Sequence, residues 1–301
     1  VITAAALAAL AAACAIGAWR FTAARWTFRA PRLAIALWQS LGVAWGLAST
    51  GALLAFAVMP YDRGVIQGLV AFAAGEAPHE RWDLLHALAM IAGLTMLAVL
   101  VVVLLAAGVQ TLRARRRHRM LLTLIAREEP RIPGVRVLDH PGAAAYCVPG
   151  LRSHVVVSSG TLELLSEDEL TAVLAHESAH VRERHDLVLL PFGALRRALP
   201  FSKVARDAQS QVELLVEMAA DDRARRYCSP RRLATALLRF GTAGAIPAPQ
   251  GMLGAAHSQV MARVDRLIKP TPELSRSRRY GLVALSVTLA TSAPFLWALP
   301  F

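Results

Sequence analysis

Cysteine is scarce in this chain of 301 residues. The three present, Cys14, Cys147 and Cys228, share no Cys-x-x-Cys spacing. That excludes a disulfide framework and a thiolate zinc site, and leaves small buried thiols. Acid is short as well: 21 Asp and Glu stand against 33 Lys and Arg, a net charge of +12. Such an excess is one mark of a nucleic-acid binder. Its distribution argues otherwise. Much of the arginine falls in short clusters beside apolar runs: Arg20, Arg25, Arg29 and Arg32; Arg113, Arg115, Arg116, Arg117 and Arg119; Arg276, Arg278 and Arg279. Clusters so placed mark the cytoplasmic flanks of membrane helices, where anionic lipids also attract them. Membrane lipids are therefore expected partners, and direct nucleic-acid contact is not. Internal repeats and low-complexity linkers are absent from the sequence too.

What the chain has is hydrophobicity: 55% of its residues are apolar, and its mean hydropathy is +0.44. Part of it is expected to sit in lipid. Four apolar runs reach the roughly 20 helical residues that span a bilayer core. They cover about 1–19, 33–59 (ended by Pro60), 84–109 and 281–301. The first lacks a basic leader, and Ala11-Ala12-Ala13-Cys14 is a poor lipoprotein cleavage site, so a retained helix is expected. The loop between the first two runs carries four Arg and no acid, whereas the next loop is acidic on balance. The segment 110–280 opens and closes on arginine. The positive-inside rule then sets the N-terminus outside, 110–280 in the cytoplasm and the C-terminus outside. Val65 to Ala74 is too short to span and is expected in the interface or packed on the helices. His86, near the start of the third run, is either a functional intramembrane group or a side chain at headgroup level.

The block 110–280 is long enough for one domain with its own core. Val135–Leu138 and His154–Ser158 read as short strands between Gly and Pro turns. A helix then begins at Ser166, where Ser166-Glu-Asp-Glu169 has the form of a capping box, and is expected to run to about Arg184. The fold class that follows is a mainly α integral membrane protein. Four transmembrane helices carry a mostly helical domain with a small β region between the third and fourth.

Residues 176–180 read His-Glu-Ser-Ala-His. On a helix, His176 and His180 are about 40° and one turn apart, so both can ligate one metal ion, with Glu177 about 100° from His176 and beside that ion. This is the arrangement a water-activating metallopeptidase needs. His185 falls about 180° from His176 if the helix continues, and is expected to face away. Glu183 returns to the ligand stripe one turn beyond His180 and can line a cleft. Further on, Glu217 and Asp221 share a helical face among apolar residues. Acids in such a setting need partners. Either they pair with Arg223, Arg225 and Arg226 on a solvated face, or one binds the metal while the other orients a histidine.

These residues resemble the Glu-zincin membrane peptidases of the HtpX and CAAX prenyl protease group, and more closely the BlaR/MecR-type peptidases. In the latter a zinc domain lies between transmembrane helices three and four. The run His180-Val-Arg-Glu-Arg-His-Asp186 is also similar to the segment that follows the second histidine there. The resemblance implies Zn2+ held by His176, His180 and Glu217, Glu177 as general base and then acid, and Asp221 as partner of a ligand histidine. It implies that His257 and Arg263 form a late His…Arg pair near the site that steadies the oxyanion. It also implies that Ala145–Cys147 through Ser159–Gly160 form the edge where an extended substrate adds as a strand. The chain departs from BlaR and MecR in ending at Phe301, so no penicillin-binding sensor is expected after the fourth span.

The expected function is a membrane zinc metalloendopeptidase acting on a cytoplasmic or membrane-face protein. A BlaI/MecI-type repressor is one substrate class. Membrane proteins handled in an HtpX-like quality-control or processing role are the other. A reading of another kind is a non-catalytic membrane scaffold with a structural zinc; Glu177 counts against it, since a structural site needs no base.

Overall fold

The computed structural model describes residues 1–128, 135–148, 154–243, 252–269 and 272–299. They divide into two compact units: 1–106, 191–211 and 274–301 form one, and 107–190 with 212–273 form the other.

The first unit is built on helices α1 (Ile2–Phe21), α2 (Pro31–Ala57), α3 (Val65–Ala73), α4 (Leu84–Ile125) and α11 (Arg276–Ala298). In four of them, 2–21, 31–57, 84–114 and 276–298, a helix is long and apolar enough to cross a membrane. These are the four expected runs, with ends shifted by a few residues. The exception is α4, which continues without a break through the basic cluster after Val109. Helix α2 is the hub. It starts on Pro31, whose missing N–H costs nothing at a helix start. It packs on α1 and on α11. The α11 contact is very close: Trp297 donates its indole N–H to the Leu47 carbonyl at 3.1 Å, and a Cβ at Gly51 would lie 2.1 Å from that nitrogen. Only glycine leaves room for the indole there. The short α3 packs onto the end of α2, with Gly68 against Val58, so the apolar stretch after Pro60 joins the helix cluster. At the start of α4, His86 is buried. Its ring stacks on Phe56 at 4.9 Å, and Nδ1 lies 2.7 Å from Asp83 Oδ1.

The second unit carries four strands: β1 (Ala126–Glu128), β2 (Val135–Leu138), β3 (Ala145–Val148) and β4 (His154–Ser158). Their order is β1-β2-β4-β3; β2 and β4 are parallel and the other pairs antiparallel, so β3 lies on an edge. Gly160 opens the way out of the sheet, where a Cβ would lie 2.0 Å from the Pro141 carbonyl oxygen. Six helices follow: α5 (Ser159–Leu164), α6 (Glu167–Arg182), α7 (His185–Ala198), α8 (Lys203–Ala224), α9 (Pro230–Ala243) and α10 (Met252–Ile268). Helix α6 is central. Leu170 and Val173 pack with Val135 and Val157 of the sheet, and Ala172 packs with Ala224, Leu233, Val264 and Leu267 from α8, α9 and α10. Packing against the sheet on one side and against α8, α9 and α10 on another holds α6 in one position, which a metal-ligating helix requires.

The expected block 110–280 is not continuous as a compact unit. Helix α7 passes into the apolar-helix unit at Pro191, and α8 returns at Val212.

Candidate metal centre

Helix α6 begins with the capping box the sequence announces. The Ser166 hydroxyl accepts the Glu169 N–H at 3.4 Å, and Glu169 Oε2 accepts the Ser166 N–H at 2.9 Å. The helix ends two residues earlier than expected. Glu183 is its C-cap, and Arg184 takes a left-handed conformation with φ 49°, which starts α7 at His185. No glycine or proline marks this break in the sequence.

His176 and His180 project from the last turns of α6, and Glu217 from α8. One ligand atom from each lies within 4.8 Å of the others. His176 Nε2 is 3.1 Å from His180 Nε2 and 3.3 Å from Glu217 Oε2, and His180 Nε2 is 3.6 Å from Glu217 Oε1. Two imidazole nitrogens and a carboxylate oxygen converging on one point suit a divalent transition metal better than calcium or magnesium, which favour all-oxygen sets. Glu177 is half-buried on the same helix.

Around these atoms lies a charged frame. Asp221 is fully buried, with Oδ1 3.0 Å from His176 Nδ1, an ion-pair distance without hydrogen-bond alignment. Arg263, buried on α10, donates to both Asp221 oxygens at 2.9 and 2.8 Å and pairs with Glu217 Oε2 at 2.9 Å. Its neighbour one turn on, Arg266, grips Asp222 through two nitrogens, each at 2.8 Å. Two arginine–aspartate forks thus clamp α10 to α8.

The electrostatics follow from this frame. Burial disfavours charge on His176, but Asp221 and Glu217 outweigh it and raise its pKa to about 9. For His180, burial outweighs the support of Glu217, and with His176 and His185 nearby its pKa is lowered to about 4. Burial pushes Glu217 upward, but His176 and Arg263 more than offset this and hold it at about 2. Asp221 is likewise held well below the carboxylate range, against its burial, by Arg263 and His176. Burial opposes the Arg263 charge, yet Asp221, with Glu217 and Glu177 adding, raises its pKa further. In the metal-free site, then, His176 carries the proton and His180 is neutral.

One placement departs from the expectations of the sequence. His185 does not face away. Because the chain turns at Arg184, its buried ring packs edge-on against His180 at 4.8 Å, and the two Nδ1 atoms are 3.0 Å apart. Glu183 lies 3.4 Å from both His185 Nε2 and Arg223. Arg263 is engaged by Asp221 and Glu217, and its Nη2 lies 3.4 Å from His176 Nε2. His257 lies on α10, but its side chain is outside the described residues. Arg266 belongs to no motif in the sequence; its spacing of three from Arg263 is the one signal that could have found it.

Comparison with known proteins meets this geometry at one place. Residues 110–220 match the model of Peptidase family M48. The matched stretch contains His176, Glu177, His180 and Glu217. The chain is also similar to "Protease HtpX homolog" proteins. That of Aeropyrum pernix is 45% identical over 56 residues, 19% of this chain and 18% of the relative. That of Trichormus variabilis is 34% identical over 91 residues, 30% and 32%. That of Thermoplasma acidophilum is 34% identical over 82 residues, 25% and 26%. The chain thus spans less than a third of the length of these curated relatives. No solved structure matches it.

Proposed function

We propose that the chain is a membrane-embedded zinc metalloendopeptidase acting on a protein in the cytoplasm or at the membrane face. The observation that carries this reading is the convergence of His176, His180 and Glu217 within 4.8 Å, with Glu177 following His176 on the same helix. The similarity of 110–220 to Peptidase family M48, whose peptidases depend on zinc, supports the same reading.

Zinc held by these three residues supplies a lowered pKa for water and polarises the scissile carbonyl. Glu177 accepts the proton of the attacking water and returns it to the leaving amine. Asp221 orients His176, and His185 orients His180, each through Nδ1, which would leave both Nε2 atoms to hold the zinc. Arg263 holds Glu217 and Asp221 in place. An extended substrate adds to β3, the last strand in the sheet order, so that backbone hydrogen bonds present the scissile bond. His257 is assigned the oxyanion. The arginine clusters support a cytoplasmic position for this machinery.

Two substrate classes fit this site: membrane proteins in an HtpX-like processing or quality-control role, in line with the similarity to HtpX homologues, and a BlaI/MecI-type repressor. Proteomes of wild-type and Glu177→Gln cells separate the two by what accumulates. Purified Glu177→Gln protein is expected to keep its zinc and lose roughly a hundredfold or more of its hydrolysis of an unstructured protein. Cleavage at the wild-type rate would sink the mechanism, and zinc without cleavage in the wild type would favour a scaffold.

A further inference from the structure

The apolar-helix unit contains a cavity of about 200 Å³ between α1, α2 and the segment 191–211. Cys14, Trp38, Gly42, Trp45, Phe192 and Leu199 are in its wall, and none of the metal-site residues is. We propose that this cavity holds one acyl chain of an anionic glycerophospholipid, whose headgroup rests on the arginines at the same end of α1 and α2.

Position along the helices is the first ground. Trp38 and Cys14 each lie about two turns, or about 10 Å, from the arginine-rich ends of α2 and α1. Trp45 lies two turns deeper. The cavity therefore follows the helices away from those ends over the depth of one leaflet, about half of a ~30 Å hydrocarbon core.

Charge is the second. Arg20, Arg25, Arg29 and Arg32 lie where α1 ends and α2 begins, all exposed, and the connection between the helices contains no acid. The opposite wall, 191–211, meets the same arginine-rich end at Gln211, whose side-chain amide donates to the Thr22 carbonyl at 3.1 Å. An apolar slot with a cationic mouth complements an anionic lipid; a zwitterionic lipid gains only the slot.

The wall itself supplies the third ground. Trp38 is 3% exposed, and its indole N–H finds no acceptor among the described residues. A buried donor left unpaired is costly, and the ester carbonyl of a glycerolipid is an acceptor at the matching depth. Gly42 leaves the space open, since a Cβ there would meet nothing within 4 Å.

The test is native mass spectrometry of the full chain in detergent, titrated with phosphatidylglycerol or with phosphatidylcholine of the same acyl chains. One phosphatidylglycerol per chain is expected, bound roughly tenfold more tightly than phosphatidylcholine. Gly42→Leu fills the slot while improving helix propensity, and should weaken phosphatidylglycerol roughly tenfold. Trp38→Phe keeps the ring and removes the donor, for a loss of roughly fivefold. If Gly42→Leu does not fold, the double variant Arg25→Gln, Arg29→Gln changes only exposed side chains and should abolish the preference for the anionic lipid. Wild-type affinity in Gly42→Leu, equal binding of the two lipids, an intact preference in the arginine variant, or displacement by an apolar helical peptide would each overturn the proposal. The readout is lipid mass, so it stands or falls independently of zinc and hydrolysis.

Discussion

His185 Nδ1 lies 3.0 Å from His180 Nδ1, so one of the two candidate ligand histidines is steadied by a third histidine from the next helix. His185 in turn reaches Glu183, and Glu183 reaches Arg223. With His180 turned toward a metal through Nε2, its Nδ1–H donates to His185. His185→Ala removes that acceptor. Zinc affinity, read by competition with a chromogenic chelator, should fall roughly 10- to 100-fold. Unchanged affinity in a folded variant would mean the contact does not orient the ligand.

Arg263→Met removes the guanidinium that Asp221 and Glu217 share, and leaves protonated His176 as the cation between them. Removing one member of a buried ionic cluster costs about 3–5 kcal/mol. Thermal unfolding of the metal-free protein should show a large loss, and zinc should restore part of it by re-pairing Glu217. Equal loss with and without zinc would detach Arg263 from the metal site.

The two histidines titrate in opposite senses. His176 is raised from 6.5 to about 9, so its contribution to metal-free stability is full below 6.5 and lost as pH rises toward 9. His180 is lowered from 6.5 to about 4, so its contribution is full above 6.5 and lost as pH falls toward 4. Metal-free stability from this pair should therefore peak near pH 6.5. Zinc needs His176 neutral, so at about pH 7 its binding should displace about one proton, and affinity should climb until about pH 9. Calorimetry in buffers of different ionisation enthalpy reads that proton directly; no buffer dependence would contradict the assignment.

Gly51→Val places side-chain carbons where the Trp297 indole sits, since a Cβ at residue 51 would already lie 2.1 Å from the indole nitrogen. The Trp297 to Leu47 hydrogen bond should break, with about 1–3 kcal/mol lost to overpacking. Pairing Gly51→Val with Trp297→Ala should recover stability in detergent melts. Failure to recover would place the strain elsewhere.

The parts legible in the sequence are those governed by local rules. Hydropathy locates the four apolar helices, Ser166 and Glu169 announce the start of α6, and the spacing of His176 and His180 brings both to one face. Non-local packing hides the rest. The left-handed Arg184 ends α6 although arginine is no helix breaker, and that single dihedral moves His185 from the far side to the site. Segment 191–211 reads as polar helix because Arg196, Arg197, Lys203 and Arg206 dilute its apolar stripe, yet Phe192, Leu195 and Leu199 pack in the apolar-helix unit. Arg263 is one more cation in a basic chain until α10 lays it across two buried acids.

The direction in which α6 runs has an effect of its own. Its acids, Glu167, Asp168 and Glu169, occupy the first turn, and His180 occupies the last. Aligned peptide dipoles give the last turn a partial negative charge, which favours a cation there by about 0.3–1 kcal/mol. The helix therefore acts as a polarised rod: its front end would welcome an anion, and its tail, where the imidazoles sit, repels one. The backbone field thus adds a small increment to the pull that His176, His180 and Glu217 would exert on a divalent cation.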